Sequence, residues 1–244
     1  VGILVVAHEP LIADCIFWVH IYKHAVSVLK DRSVMEIFDG LVDHLSINIC
    51  KECTLKEAYK RIRELARPYL DTRKNDIHTE ISTRLAYQLL DLEGGMEEVV
   101  IPAILLHDVG WRKVPEDMQM KAFGPNASLP EWNRVHEVEG ARIAGEILAE
   151  VKYDPEKVEE ILRIIEGHDS RKEPFSLNDK IVKDADKLWR YSKGAVEINS
   201  NRFQLTCEEG IERLRANIEP WFLTDSAKKM AREEIEKRLQ ERGN

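Results

Sequence analysis

Six residues in the middle of the chain, His78, the adjacent pair His107 and Asp108, His136, His168 and Asp186, are types that bind metal ions. Each falls where its own helix should bury a side chain. A buried imidazole or carboxylate is costly unless it is hydrogen-bonded, paired or ligating a cation. Taken singly, each is more readily a satisfied core histidine or a helix-end carboxylate, His107–Asp108 excepted. Jointly, that reading needs several consecutive helices to bury a polar group for unrelated reasons. The joint expectation is a helical pocket holding one or two divalent ions. Imidazole and carboxylate donors suit Fe, Mn, Co or Ni better than a thiolate-seeking metal. Such ions lower the pKa of bound water and can clamp attacking and leaving oxygens, which is hydrolytic chemistry.

The face arguments rest on residues three or four apart sharing a helical stripe. His78 shares one with Ile81, Leu85 and Leu89, and His136 with Trp132, Gly140, Ile143 and Ile147. The apolar run Ile101–Leu106 delivers His107 and Asp108 at its end, and His168 follows Ile161 and Ile165 just after Gly167. Asp184-Ala185-Asp186 offers two carboxylates. Asp186 falls on the face of Val182 and Trp189, whereas Asp184 falls with Lys180 and Lys187 and is expected to face water; Asp186 is therefore chosen. Arg171, Lys172, Lys187 and Arg190 flank the ligand segments as candidates for holding phosphate oxygens, with solvated helix ends an equal alternative. Arg112 and Lys113 are weaker candidates. Trp111 and Trp189 are expected in the core, with base stacking the second reading.

The elements that must carry these residues are helical. Helices are expected at Asn75–Leu92, Met96–Asp108, Glu131–Val151, Pro155–Gly167, Ser176–Ser192, Thr206–Ile218 and Ser226–Arg242. Asp154 is a ready N-cap with Pro155 at the first helical position. The stretch with Pro115, Gly124, Pro125 and Pro130 is expected to be a loop over the site. Upstream, Val1–Ala7 is strand-like, helices are plausible at Leu11–Leu29 and Val34–Leu45, and Thr54 with Glu57 forms a capping box for a helix that Pro68 ends. The fold class is therefore all-α. Residues 1–70 form a mainly helical N-terminal extension with a short strand at its start, and 71–244 form the bundle with its C-terminal helices.

Bulk properties agree. A 33% charged fraction with only 12 Gly and 9 Pro in 244 residues favours long polar-faced helices over a strand-and-turn protein. The net charge of −8 argues against a general nucleic-acid surface, without forbidding a small basic pocket. No apolar run is long enough to span a bilayer, and no basic n-region precedes the apolar start, so the expected location is cytoplasmic. Cys50 and Cys53 have the spacing of half a zinc site but lack a second pair, so reduced thiols are expected. His20 and His24 lack a third ligand, and His44 reads as surface.

The order His, His-Asp, His, His, Asp resembles the HD superfamily of metal-dependent phosphohydrolases, over about Asp71 to Tyr191. The strongest matches are Leu106-His107-Asp108-Val109-Gly110 and Lys183-Asp184-Ala185-Asp186-Lys187-Leu188. The resemblance implies an HD-domain helical bundle with His78, His107, Asp108 and Asp186 as the minimal ligand set. His136 and His168 resemble the extra ligands of two-metal members, in which Asp108 would bridge the ions and act catalytically. The implied function is hydrolysis of a small phosphorylated, nucleotide-like metabolite through a metal-activated water. Trp111 stands where the cyclic-di-nucleotide phosphodiesterases carry Lys, and no Gly-Tyr-Pro follows, so that activity is not expected. Nor is there room for the synthetase region of the (p)ppGpp hydrolases. The same six ligands also resemble di-iron HD-fold oxygenases, and a regulatory module with a structural metal is a third reading. Apolar residues of the N-terminal third could pack on the core or pair two subunits in a homodimer. Val1–His8 resembles the opening of mannose-type phosphotransferase domains, but the likeness fades after Ala25 and no function is placed there.

Overall fold

The computed structural model describes residues 54–122 and 128–242. The expected strand at Val1–Ala7, the helices at Leu11–Leu29 and Val34–Leu45, the His20/His24 and Cys50/Cys53 pairs and His44 lie outside the described residues. Among the described residues there are helices and turns and no strand, as an all-α reading requires.

The bundle is built around its most apolar helix. Helix α1 spans residues 54–70, α2 Asn75–Glu93 and α3 Glu97–Leu106. From Val99 to Leu106 every residue of α3 is buried, so this helix has no solvent face. A helix apolar all round belongs at the centre of a domain, and α3 packs against α2, α6 (Pro155–Ile165) and α7 (Leu177–Leu188). Pro102 sits inside α3 and has no N–H to give the Glu98 carbonyl one turn earlier. The Tyr153 hydroxyl donates to that carbonyl at 2.7 Å, so the bond lost to proline is replaced from outside the helix.

Helix α4 covers Glu116–Ala122, α5 Glu131–Glu150, α8 Lys193–Phe203, α9 Cys207–Ala216, α10 Ile218–Trp221 and α11 Asp225–Arg242. Two 3-10 turns, Val109–Lys113 and Trp189–Tyr191, follow α3 and α7. Helix starts are fixed by local chemistry. Asp154 caps α6 by accepting from the Glu156 amide at 3.0 Å, and Ser176 caps α7 by accepting from the Asp179 amide at 3.1 Å. Thr206 and Glu209 form a reciprocal capping box on α9.

Several expectations need correction. The helix expected to stop at Pro68 runs to residue 70, because Leu70 in its last turn is drawn into the core. The stretch expected to be only loop holds α4, with Glu116 and Asp117 in its first turn; residues 123–127 lie outside the described set. Helix α8 was not anticipated, and the helix expected to run unbroken from Ser176 to Ser192 changes to a 3-10 turn at Trp189. The compact unit that carries the bundle begins at Leu55, and α1 supplies Tyr59, Ile62, Ala66 and Leu70 to the same apolar core. Among the described residues no helix is long and apolar enough to cross a membrane.

Candidate metal centre

Helix ends place the two His residues that are hardest to orient. His107 directly follows α3 and His168 closely follows α6. Each donates from Nδ1 to a carbonyl three residues back, Ile104 or Ile165, at 2.8 Å. A carbonyl only accepts, so Nδ1 carries a proton and Nε2 is the atom each ring turns toward the centre. His78, on α2, has Ser82 Oγ 3.4 Å from its Nδ1. His136, on α5, is held by stacking: the Trp111 ring lies parallel at 4.1 Å, while Trp111 Nε1 donates to Asp108 Oδ1 at 3.0 Å. All six residues are buried.

The six converge in two halves that share Asp108. In the first, His78 Nε2 lies 2.8 Å from His107 Nε2, 3.2 Å from Asp186 Oδ1 and 3.4 Å from Asp108 Oδ2. In the second, His136 Nε2 lies 3.2 Å from His168 Nε2, and these two atoms are 3.9 and 3.8 Å from Asp108 Oδ1. Two donors bound at about 2.1 Å to one ion, 90–110° apart, sit about 3.0–3.5 Å from each other. The Nε2 atoms of His107 and His168 each face a second imidazole nitrogen, an arrangement that a proton or a cation must satisfy. The donor set fits divalent metal, with Asp108 Oδ2 toward His78 and Asp108 Oδ1 between the halves, 3.7 Å from His107 Nε2, 3.8 Å from His168 Nε2 and 3.9 Å from His136 Nε2.

The charges respond accordingly. Burial pulls the His136 pKa down, helped by the charge of His168, to about 4. Burial opposes charge on His168 as well, but a hydrogen bond to Asp108 and the carboxylates of Asp169 and Asp108 override it and push His168 up to about 10. The other pair divides the same way: burial lowers His78, whereas on His107 the carboxylates of Asp108 and Asp186 overcome burial and raise it. Burial would raise Asp108 and Asp186 too. The imidazoles around both, with Arg190 beside Asp186, instead hold them well below the usual carboxylate range.

A close backbone crossing makes the second half possible. A Cβ on Gly110 would sit 1.9 Å from the His136 carbonyl oxygen and 2.4 Å from the Gly140 nitrogen. Only glycine lets the turn after Asp108 lie directly on α5. Asp184, expected to face water, is instead fully buried. It accepts from the Leu223 and Thr224 amides, each at 2.9 Å, and from Thr224 Oγ1 at 2.7 Å, so it ties α7 to the start of α11 and stays out of the centre.

A cavity of about 400 Å³ opens onto the centre. Of the four expected cations, Lys187 and Arg190 line it. Arg190 also donates to its own helix at the Asp186 carbonyl, 2.8 Å away. Arg171 turns elsewhere: it donates to the Arg163 carbonyl at 2.6 Å and its guanidinium lies over Phe175. Lys172, Arg112 and Lys113 are exposed and outside the lining. Trp111 and Trp189 pack on the His136 and His78 rings. The sequence reading missed Arg73, whose guanidinium lies 3.8 Å over the Trp111 ring, and Arg213 and Trp221 from the C-terminal helices, all of which line the cavity. Arg213 and Trp221 are far in sequence from every ligand and carry no local signal. Asp169, which also lines the cavity, was missed despite a visible signal: it follows His168 as Asp108 follows His107.

Residues 75–191 match the HD domain family. A crystal structure of a predicted HD superfamily hydrolase from an uncultured Thermotogales bacterium is similar in fold, with 24% sequence identity and a TM-score of 0.50 over 76% of this chain and 87% of that one. Among curated proteins none matches. The match spans all six converging residues, from His78 on α2 to Asp186 on α7, so the centre lies within the part of the chain that matches the HD domain.

Proposed function

We propose that this protein is a divalent-metal-dependent phosphohydrolase that cleaves a phosphate ester or anhydride in a small, nucleotide-like molecule. The observation that carries the reading is the cavity. Four cationic side chains, Arg73, Lys187, Arg190 and Arg213, line a space that opens onto the convergent His and Asp set, in a chain whose net charge is −8. The three carboxylates of the same lining, Asp108, Asp169 and Asp186, lie at the His and Asp set itself, so the wall away from it is cationic and suits an anionic substrate.

One or two ions (Fe, Mn, Co or Ni) held by His78, His107, Asp108, His136, His168 and Asp186 supply water activation and charge neutralisation when bound. The chain supplies the rest. Among the described residues Lys187 and Arg213 have no carboxylate partner, and both line the cavity, available to phosphate oxygens. The buried side-chain nitrogens Asn75 Nδ2 and Trp189 Nε1 line the same space without acceptors, so a ligand rich in acceptor oxygens satisfies both. Asp108, held ionised by the imidazoles around it, would orient the attacking water.

The test is metal analysis of protein purified without chelators, followed by phosphate release from a panel of nucleotides and sugar phosphates. Release that is abolished by chelation and restored by Mn or Co supports the proposal. His107→Ala with Asp108→Ala should then abolish turnover by at least about 10³-fold while the fold survives. Dioxygen consumption without phosphate release would transfer the site to oxygenase chemistry. A metal-free protein as isolated and after reconstitution would sink both.

A further inference from the structure

We propose that Asp169 is a seventh metal ligand, completing the half of the centre formed by His136, His168 and Asp108. The inference rests on the two-ion reading of the site and goes beyond the six-residue set. The chain contains two His-Asp pairs at this centre, His107–Asp108 and His168–Asp169, and both are built alike. In each, the histidine comes at or just beyond a helix end and donates Nδ1 to the carbonyl three residues earlier, at 2.8 Å in both cases. That bond aims Nε2 inward, and the next residue is a carboxylate.

The carboxylate of Asp169 is placed as a ligand would be. Its Oδ2 lies 3.6 Å from His136 Nε2 and 3.9 Å from His168 Nε2. Asp108 Oδ1 lies 3.9 and 3.8 Å from the same two atoms. By distance Asp169 has as good a claim to the second position as the residue that gives the domain its name.

The segment carrying Asp169 is also held rigidly, as a ligand segment must be. The Asp169 and Ser170 amides donate to one oxygen of Glu137 at 2.9 and 2.8 Å, and Glu137 is fully buried beside His136 on α5. Its other oxygen takes Arg134 at 3.3 Å, and Arg134 also pairs with Glu166 at 2.5 Å. From the opposite side the buried Lys183 donates to the Gly167 and His168 carbonyls at 2.5 and 2.8 Å. A buried carboxylate and a buried ammonium are thus both committed to one short turn.

Ligand count and charge agree. The first half has four protein donors, His78, His107, Asp186 and Asp108, while the second has three without Asp169. With Asp169 both halves have four, and three carboxylates face two divalent ions. The carboxylate also biases the second half toward the harder ions of the set, Mn and Fe.

The test is metal stoichiometry and affinity, independent of turnover. Apo wild type, Asp169→Asn and Asp169→Ala are titrated with Mn²⁺ and followed by calorimetry and electron paramagnetic resonance. The Asp169 side chain is 31% exposed, so neither substitution opens the core. Wild type should bind two ions per chain and show an exchange-coupled pair. Both variants should keep one ion and weaken the second by about 10–100-fold, with the coupled signal lost. Two ions bound by both variants at wild-type affinity would overturn the Asp169 assignment alone. A single ion in wild type would overturn the two-ion reading and this assignment with it.

Discussion

At the scale of single residues, the centre is a pair of imidazole couples, each poised around one proton. His78 and His136 are pushed toward neutrality by burial, while His107 and His168 are raised by the carboxylates that face them. Without metal, the proton on His168 occupies the place a cation would take, since ligation needs the Nε2 lone pair. The sign follows. His168, pushed up to about 10, holds its proton throughout the neutral range, so metal must displace it, and competition weakens as pH rises toward that value. His136, at about 4, is already unprotonated there and offers no competition. Affinity for Mn²⁺ should therefore rise between pH 6.5 and 8.5, by up to about tenfold per pH unit for each proton released. Calorimetry in buffers of different ionisation enthalpy checks this. Affinity flat across that range, or binding without proton release, would refute it. The six converging residues were the most legible part of the sequence, because a polar residue on an apolar stripe stands out by helical period alone. Asp169 was less so, since a residue just beyond a helix has no face to be assigned to.

Among the elements, the crossing of α5 by the turn after α3 does most to assemble the centre. Asp108 and His136 come from different helices, and their approach is set where Gly110 lies on the His136 and Gly140 backbone. Gly110→Ala would put a methyl group inside backbone atoms that cannot rotate away. The expected cost is about 3 kcal/mol or more, read as a lowered denaturant midpoint. The helices should separate, so metal content should also fall, whereas a variant that is stable and fully metallated would show the crossing to be adaptable. The sequence placed Gly110 after a helix but could not show what it touches, because that contact joins residues 26 and 30 positions apart (136 − 110 and 140 − 110). The same limit explains Asp184. Its helical face was read correctly as separate from Asp186, yet its burial depends on the start of α11, some forty residues later. Pro68 and Pro102 make the complementary point. Proline marks a missing hydrogen bond rather than an obligatory break, and packing by Leu70 or a hydroxyl from Tyr153 lets the helix continue.

Over the whole molecule, the site is larger than the domain that names it. The HD match ends at residue 191, but the cavity wall continues through α8, α9, the link between them and α10, where Val196, Leu205, Arg213, Leu214 and Trp221 line it. The six candidate ligands lie inside the matched region, whereas part of the outer wall lies beyond it. That wall has a defined chemistry. Trp221 and three aliphatic side chains offer an apolar surface, the Arg190 guanidinium lies 5.9 Å from the Trp221 ring centroid, and Arg213 adds a cation that has no carboxylate partner among the described residues. Under the proposed function, the wall would take the part of the substrate distant from the scissile phosphate, a flat or apolar group with a further anionic or acceptor atom. A nucleoside di- or triphosphate supplies a further anion there, whereas p-nitrophenyl phosphate offers Arg213 only an uncharged nitro group. Arg213→Ala should therefore lower the ratio of kcat/KM for nucleotides over that for p-nitrophenyl phosphate by about tenfold, the scale of one charge-assisted hydrogen bond. The loss should fall mainly on KM, because the interaction is remote from the reacting atoms and is made equally before and during the reaction. An unchanged ratio would mean that the C-terminal helices enclose the cavity without reading its contents, and selection would then return to Arg73, Lys187 and Arg190 around the ligands themselves.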